Sequence, residues 1–297
     1  MEEMSDDVLL AELTKRLTDT RKALHDVMVM NGKIEKLNLK LAESERLKTN
    51  FLSNIRNEIN NPLTSILGMA REMTAPVRDA ERTRLMARMI YEEAFALDFQ
   101  LRNIFTAAEI EAGDARASSA KIEPFTLVRH VAGSFAHFAG EKKVTLEVVV
   151  TGEQGDQKRI FVTDPEKLRQ VMANLIANAI EFNEEGRPVR IEAAVEGDTF
   201  RFAVIDGGKG IPDGDRERLF ERFHQFDQGS SKRHKGHGLG LSITKALVDM
   251  LGGKVSVSRP EQGGTRFDVV VPEAGGAPSD VFSEDGNEFL FEGGSTY

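Results

Sequence analysis

Apolar residues near the N-terminus repeat every seven positions and form two rows. Asn31 and Asn38 continue the first row, where buried asparagines can pair across a parallel two-stranded interface at some cost in stability. The pattern predicts a coiled coil over residues 1–43 and therefore a homodimer. A surface helix packed on its own domain is the alternative, because the segment barely exceeds the roughly three to four heptads that a coiled coil needs. The first row holds Leu10, Leu17 and Leu24, and the second holds Leu13, Val27, Ile34 and Leu41.

A helical pattern continues over residues 44–114 and divides into two long helices. The first runs to Met73 and contains Pro62, which removes a backbone donor and is expected to kink the helix. A loop at residues 74–79 leads to the second helix, predicted over residues 80–111 and ended by Gly113. Such an antiparallel hairpin cannot bury its apolar stripe alone, so two copies are expected to form a dimeric four-helix bundle. The stripe of the second helix consists of Leu85, Met89, Ala94, Leu97, Leu101, Ile104 and Phe105.

After a linker at residues 115–120, short strand-like runs alternate with helical stretches. This mixture is typical of an α+β domain in which helices pack on a sheet, here over residues 120–273. The tail, residues 274–297, is rich in glycine and acidic residues and is expected to be disordered, with a docking or self-inhibitory peptide as the alternative. Strands are predicted at 144–150, 159–163, 189–195, 200–205, 254–258 and 265–271, and helices at 127–139, 165–182 and 239–251.

Composition narrows the classes of partner. The 297 residues carry a formal charge of −9, which argues against nucleic acid, since that binding normally needs a basic face. The absence of cysteine excludes disulfides, thiolate metal sites and cysteine nucleophiles, and it is consistent with a reducing compartment. No apolar run approaches about 18 residues and the first residues are acidic, so we expect a cytoplasmic protein with neither a membrane span nor a signal peptide.

Two asparagines mark the helix predicted at residues 165–182. Asn174 and Asn178 are four residues apart and share one helix face. Their carboxamides could offer an oxygen to a hard cation such as Mg²⁺ and an amide to a phosphate. Taken alone, paired asparagines on a helix are more often solvent-exposed or capping.

Two glycine-rich loops follow. DGGKGIP, residues 206–212, comes directly after a strand, and the Asp206 carboxylate there can accept a hydrogen bond from an exocyclic amine while the glycines let a planar base approach. GHGLGLS, residues 236–242, opens a helix, where backbone donors can cradle phosphates. It lacks the lysine and spacing of a Walker loop or a dinucleotide fingerprint. A glycine-rich loop by itself could also be only a turn.

About twenty residues, 213–235, separate these two loops. A flexible basic segment flanked by glycines could fold over a polyphosphate as a lid. A plain solvated charge run is the alternative. The segment contains Phe220, Phe223 and Phe226, and its candidate phosphate partners are Lys232, Arg233 and Lys235.

The order of these motifs is more specific than any one of them. NLIANAIEF, DGGKGIP, LFERF, GHGLGLSI and GGTRFDVVVP resemble, in this order, the ATP-binding domain of sensor histidine kinases of the GHKL superfamily. The preceding FLSNIRNEINNPLTSILG resembles the dimerisation and phosphoacceptor helix of the HisKA type. The resemblance implies an α/β-sandwich, Bergerat-type ATP-binding domain after the helical hairpin, with the coiled coil as a signalling helix. It also implies ATP and Mg²⁺ as cofactors and a response-regulator receiver domain as partner.

The resemblance assigns roles to individual residues. Asn178 would coordinate Mg²⁺ with support from Asn174, Asp206 would bind the adenine amine, and Phe182 would pack near the base. The adenine pocket would be shaped by Gly208 and Gly210, and the lid tied to the domain by Phe220 and Phe223. The phosphates would be lined by Gly236, Gly238, Leu239 and Gly240.

Two positions depart from the family pattern. Glu181 stands where many members carry lysine or arginine, and a negative charge near phosphates would reduce affinity unless the basic residues of the lid compensate. Asn57 stands where the family has the histidine that takes the γ-phosphoryl group. A carboxamide nitrogen has a delocalised lone pair and is not a nucleophile, so phosphorylation at residue 57 is not expected. The histidines of the chain lie in the expected coiled coil, domain core or lid.

The intact neighbours of Asn57 leave several interpretations open. The chain is either a natural pseudokinase or a substituted version of an ordinary kinase, and the retained Arg56, Glu58, Asn61 and Pro62 favour substitution. Glu58 and Asn61 match the pair that positions water to hydrolyse a phosphorylated receiver aspartate, so phosphatase activity could survive. The rival is a non-catalytic dimeric scaffold that recruits a regulator or partner kinase. A chaperone- or topoisomerase-type ATPase is disfavoured because the hairpin precedes the nucleotide domain.

Overall fold

The computed structural model describes residues 6–74, 79–151, 159–220 and 239–275, with the backbone alone at 6–13, 40–41, 43–58, 213 and 217. The chain divides between Glu58 and Ile59 into two compact units, and the division falls inside the long helix α1, Asp6–Met73. Within these described ranges, no helix is long and apolar enough to cross a membrane.

The first unit contains the N-terminal part of α1. Its side chains from residue 14 to residue 39 are all exposed, including Leu17 at 67 %, Leu24 at 55 % and Ile34 at 49 %. The predicted helix is present, and the described apolar residues of its heptad rows, Leu17, Leu24, Val27 and Ile34, are exposed in the single chain. Pairing of these rows across a coiled coil stays a prediction.

The second unit begins with the end of α1 and continues with α2, Ala80–Ala112. Helix α2 matches its predicted bounds within one residue, because Asp79 caps the Glu81 amide at 3.1 Å and Gly113 ends the helix at φ 75°. Helix α1 runs through Pro62 as one element. An ion pair between Glu72 and Arg82 links the end of α1 to the start of α2. Residues 75–78 of the predicted loop lie outside the described residues.

The α+β region contains a mixed five-stranded sheet in the order β2-β4-β5-β7-β6. The strands are β2 (Thr145–Thr151), β4 (Pro188–Glu196), β5 (Thr199–Ile205), β6 (Lys254–Ser258) and β7 (Arg266–Pro272). Only β2 and β4 run parallel among these pairs, and the other neighbours are antiparallel. Alternate residues of β4 and β7 are buried, as expected for a sheet with one face against a core.

Helices cover that inner face and supply the rest of the core. They are α3 (Pro124–Ser134), α4 (Ala136–Glu141), α5 (Pro165–Phe182) and α6 (Gly240–Met250). Helix α5 buries Leu168, Met172, Leu175, Ile176 and Ile180 almost completely. The fold predicted from the sequence, a helical N-terminal region followed by helices packed on a mixed sheet, is confirmed.

Several local predictions were wrong. The helix expected at 127–139 is two helices, because Phe135 separates α3 from α4. The linker ends earlier than predicted: Ala120–Ile122 form strand β1, which pairs antiparallel with β3, Phe161–Thr163. A 3₁₀ helix at Asp213–Arg218 was missed. His130 and His137, which we expected in the domain core, are both exposed.

Asp164 connects the linker to the start of α5. Its side chain is buried and accepts a hydrogen bond from the Lys167 amide at 3.0 Å, which caps the helix. It also accepts one from the Ser118 amide at 2.7 Å, although Ser118 belongs to the segment that follows α2. One carboxylate thus holds both the linker and the N-terminus of the helix that carries Asn174 and Asn178.

One face of α2 packs on the α+β region. Phe95 and Phe99 lie edge-on to the buried Phe135, with ring centroids 5.5 Å and 5.9 Å away. Gln170 of α5 donates to the buried Asn103 at 3.0 Å and accepts from Thr106 at 2.9 Å. Three residues of the predicted apolar stripe, Leu85, Met89 and Phe105, are exposed. The sequence pattern did not indicate the packing of Phe95, Phe99 and Asn103.

Candidate nucleotide site

Asp206 is the buried carboxylate of the site, and it stands directly after β5. It is 6 % exposed, and its Oδ1 accepts hydrogen bonds from the amides of Gly208 at 2.9 Å and Thr265 at 3.1 Å. The Asp206 amide in turn donates to the Thr265 carbonyl at 2.9 Å. Burial raises the pKa of Asp206, and the hydrogen bonds from Gly208 and Thr265 act in the opposite direction. A carboxylate fixed in this way can accept a hydrogen bond from an exocyclic amine.

Three backbone segments meet around Asp206, and glycines permit the contact. A Cβ on Gly208 would lie 2.2 Å from the Phe182 carbonyl oxygen, and one on Gly264 would lie 1.9 Å from the Asp206 carbonyl oxygen. Gly210, at φ +76°, approaches the Gly264 carbonyl in the same way. The end of α5, the loop at 206–212 and the turn before β7 are therefore packed too closely for any side chain.

Asn183 and Arg187 hold the loop at residues 206–212 by hydrogen bonds to Gly207. Neither residue was identified from the sequence. The Asn183 carboxamide accepts from the Gly207 amide at 2.7 Å and donates to the Arg187 carbonyl at 2.6 Å. Arg187 donates to the Gly207 carbonyl at 3.3 Å. The position of Asn183, directly after α5, was the one available signal, because asparagine is common where helices end.

The two asparagines of α5 differ in their surroundings. Asn174 is 1 % exposed and donates to the Gly240 carbonyl at 3.3 Å, whereas its buried Oδ1 has no hydrogen-bond partner among the described residues. Asn178 lies one turn later and is half-buried. An unpaired buried carbonyl oxygen is costly unless a cation, a water or a ligand satisfies it. This oxygen and the buried Asp206 carboxylate fit a nucleotide with a hard cation such as Mg²⁺.

Glu181 has a basic partner close to it. Lys142, just after α4, lies 2.8 Å from the Glu181 carboxylate, whose side chain is 15 % exposed. The negative charge that departs from the family pattern is therefore compensated from within the domain. The position of Lys142 as this partner was not identified from the sequence.

The other predicted site residues are divided between described and undescribed parts of the chain. Phe182 is 53 % exposed at the end of α5, Leu239 is buried, and Gly240 opens α6. Phe220 is half-buried. The remaining residues assigned to the lid and to the phosphates lie outside the described residues: Phe223, Lys232, Arg233, Lys235, Gly236 and Gly238.

The predicted acceptor turn lies within α1. Asn57 and Glu58 have helical backbone but undescribed side chains, Asn61 is exposed, and Pro62 is half-buried. The two units of the chain meet between Glu58 and Ile59. The role of this turn as a phosphoacceptor site is therefore inferred from its sequence.

Comparisons with known proteins identify two family domains in the chain. Residues 47–113 match the family "His Kinase A (phospho-acceptor) domain", and residues 163–275 match "Histidine kinase-, DNA gyrase B-, and HSP90-like ATPase". The circadian input-output histidine kinase CikA of Synechococcus elongatus is 29 % identical over 92 % of this chain and 36 % of its own length. The signal transduction histidine-protein kinase BarA of Escherichia coli is 30 % identical over 84 % of this chain and 27 % of its own.

A solved structure shares the fold. Full-length ShkA in complex with AMPPNP has 29 % sequence identity and a TM-score of 0.54, over 78 % of this chain and 46 % of that one. The chain thus spans roughly a quarter to a third of CikA and BarA and about half of ShkA. The chain therefore carries, in this order, a phosphoacceptor-type domain and an ATPase domain of the kinds found in histidine protein kinases.

Proposed function

We propose that this protein is the dimeric core of a two-component histidine kinase, which binds ATP·Mg²⁺ and acts on the receiver domain of a response regulator. Asp206 carries the nucleotide part of the proposal, because its carboxylate is buried, held by two backbone amides and enclosed by glycines. The motif order supports the rest. A cytoplasmic location belongs to the same proposal.

Each part of the candidate site has a role in holding the nucleotide. Asp206 accepts the adenine amine, Gly208 and Gly210 leave room for the base, and Phe182 packs beside it. Asn174 and Asn178 offer carboxamide oxygens to Mg²⁺. Leu239 and Gly240 stand at the N-terminus of α6. Helix amides and the helix dipole there would favour the negative charge of the phosphates. Bound ATP would supply the phosphoryl group for transfer.

The acceptor position limits which activity this sequence can have. The side chain of Asn57 cannot take a phosphoryl group, so this protein is not phosphorylated at residue 57. Glu58 and Asn61 remain, and they are the residues that would position water against a phosphorylated receiver aspartate. Phosphatase action on the receiver is therefore the activity that we expect to persist, in a natural pseudokinase or in a substituted kinase.

Dimerisation accounts for apolar surfaces that the single chain leaves uncovered. Leu17, Leu24 and Ile34 on α1 and Leu85 and Met89 on α2 are each at least 43 % exposed. Contiguous apolar rows of this kind normally mark an interface. A second copy, paired along both sets of residues, would form the coiled coil and the four-helix bundle.

Calorimetry with ADP and ATP in the presence of Mg²⁺ tests the nucleotide site. We expect one nucleotide per chain and a loss of at least about tenfold in affinity for Asp206→Asn, which replaces a charged acceptor with a neutral one. Asp198→Asn, at an exposed turn between β4 and β5, is the matched control and should bind as the parent does. The proposal fails if the parent binds no nucleotide or if both variants bind equally.

The acceptor turn is tested separately. Asn57→His should introduce acid-labile, base-stable phosphorylation from ATP, and its absence in a nucleotide-binding protein would favour the pseudokinase. A phosphorylated receiver domain mixed with the unaltered chain should lose its phosphate, and Asn61→Ala should slow that loss. Stable binding of the receiver without turnover would instead favour the non-catalytic scaffold, which the asparagine at residue 57 also permits.

A further inference from the structure

Three potential metal ligands that are not among the residues assigned to the nucleotide lie close together. They are Glu92 on α2 and His137 and Glu141 on α4, and one ligand atom from each lies within 4.8 Å of the other two. His137 and Glu141 are four residues apart, so they project from the same face of α4. The His137 Nε2 contacts the Glu92 carboxylate directly. Two elements thus contribute ligands to one point.

The charges at this point are unbalanced. Glu141 is next to Glu92, with which it shares a hydrogen bond, and the charge of Glu93 also acts on it. His137 is the one basic residue among the three proposed ligands, and it contacts Glu92. A bound cation would relieve the repulsion between the carboxylates more fully than an imidazole shared between them.

We propose that Glu92, His137 and Glu141 bind a divalent transition-metal ion of the Zn²⁺ type and thereby fasten α2 to the ATP-binding domain. One imidazole and two carboxylates are ligands that Zn²⁺ accepts, whereas Mg²⁺ and Ca²⁺ prefer oxygen alone. Three protein ligands would leave a coordination position for water. The site is independent of the nucleotide site and of the function proposed above.

The position of the three ligands indicates how a bound metal ion would affect the packing of α2. Glu92 is one turn before Phe95 on α2, and His137 follows Phe135 closely in the chain, so the three ligands lie at the edge of the aromatic contact between α2 and the domain. An ion that binds only when both elements are together stabilises that packed arrangement by mass action. The metal would therefore make separation of α2 from the ATP-binding domain rarer without touching the nucleotide.

Titration of the metal-free full chain with ZnCl₂, without nucleotide, tests the site. We expect His137→Gln to bind one Zn²⁺ fewer than the parent, and Glu92→Gln and Glu141→Gln each to weaken that site at least tenfold. His130→Gln is the matched control, because His130 is an exposed histidine on α3 outside the cluster, and it should bind like the parent. Equal stoichiometry in the parent and His137→Gln would overturn the proposal, whatever Zn²⁺ the other histidines bind.

Hydrogen exchange tests the fastening. Zn²⁺ should slow amide exchange in the peptides covering residues 91–103 and 135–141 of the parent and of His130→Gln, and EDTA should reverse the effect. His137→Gln should show no such protection. Binding without protection in the parent would show that the ion does not fasten α2 and would overturn that part of the proposal. All these substitutions are at side chains that are exposed or half-buried, and thermal unfolding checks that each variant is folded.

Discussion

Gly263 and Gly264 provide a sharp test of how tightly the candidate nucleotide site is packed. Both glycines have φ +83°, so alanine at either position adopts a left-handed backbone that costs about 1–2 kcal/mol. They differ in what the added Cβ would contact. At Gly263 nothing lies within 4 Å, whereas at Gly264 the Asp206 carbonyl oxygen is 1.9 Å away.

The difference in stability follows from that contact. Alanine also restricts the unfolded chain, which returns roughly 0.4–1 kcal/mol, so Gly263→Ala should lower the free energy of unfolding by about 1 kcal/mol. Gly264→Ala must in addition move the Asp206 backbone away. That movement breaks the bond from the Asp206 amide to the Thr265 carbonyl and the one from the Thr265 amide to the carboxylate. One neutral and one charge-assisted hydrogen bond bring the expected loss to about 3–5 kcal/mol.

Urea unfolding of both variants, with hydrogen exchange in β5 and β7 as a readout local to the domain, measures the difference. Gly264→Ala should also lose nucleotide binding, since the Asp206 carboxylate moves with its backbone. Equal destabilisation by the two substitutions would refute the reasoning, because only the contact with Asp206 distinguishes them. Loss of stability with full nucleotide affinity would show that Asp206 does not hold the base.

Other substitutions test the surroundings of the site. Lys142→Gln should lower ATP affinity by about threefold, because it removes the positive charge that lies 2.8 Å from the Glu181 carboxylate. Lys143→Gln, at the exposed neighbouring pair with Glu185, should leave the affinity unchanged, and calorimetry at low and high salt checks both variants. Asn183→Ala should weaken nucleotide binding about tenfold by releasing the loop at 206–212, measured in the same assay. Because the pKa of Asp206 is raised on folding, its ionisation reduces stability as the pH rises through the unfolded and then the folded pKa. The stability of Asp206→Asn relative to the parent should therefore increase from acid to neutral pH in urea unfolding, and a decrease would contradict the assignment.

The sequence could predict those parts of the fold that depend on local pattern. The strands of the sheet and helices α2 and α5 follow from periodicity and from capping residues such as Asp79 and Gly113, which act on their own neighbours. The break between α3 and α4 at Phe135 was missed, because the apolar pattern continues across it and the packing of Phe95 and Phe99 on that ring is tertiary. The packed face of α2 depends on the same long-range contact.

The candidate site was also predicted only in part, because sequence patterns show residues that are adjacent in the chain and not contacts between distant segments. Asp206 and its glycines are adjacent in the chain and form a recognisable motif. The Thr265 amide that holds the carboxylate is 59 residues away, and the Asn183 side chain that supports Gly207 is 24 residues away. Likewise, nothing near Glu181 in the sequence indicates that Lys142 compensates its charge, because the two residues are far apart in the chain and meet only in the folded domain.

Asp164 accepts hydrogen bonds from both Ser118 in the linker and Lys167 at the start of α5. These two bonds limit where the protein can be truncated or fused. A fragment that starts at residue 120 keeps β1 but loses the Ser118 amide, so the buried carboxylate at the start of α5 lacks one of its donors. Removing one partner of such a buried bond costs about 1–3 kcal/mol. Chimeras that join this ATP-binding domain to a foreign helical hairpin should therefore keep the native chain from at least Gly113 onward, so that the Ser118 amide still donates to Asp164 at the start of α5.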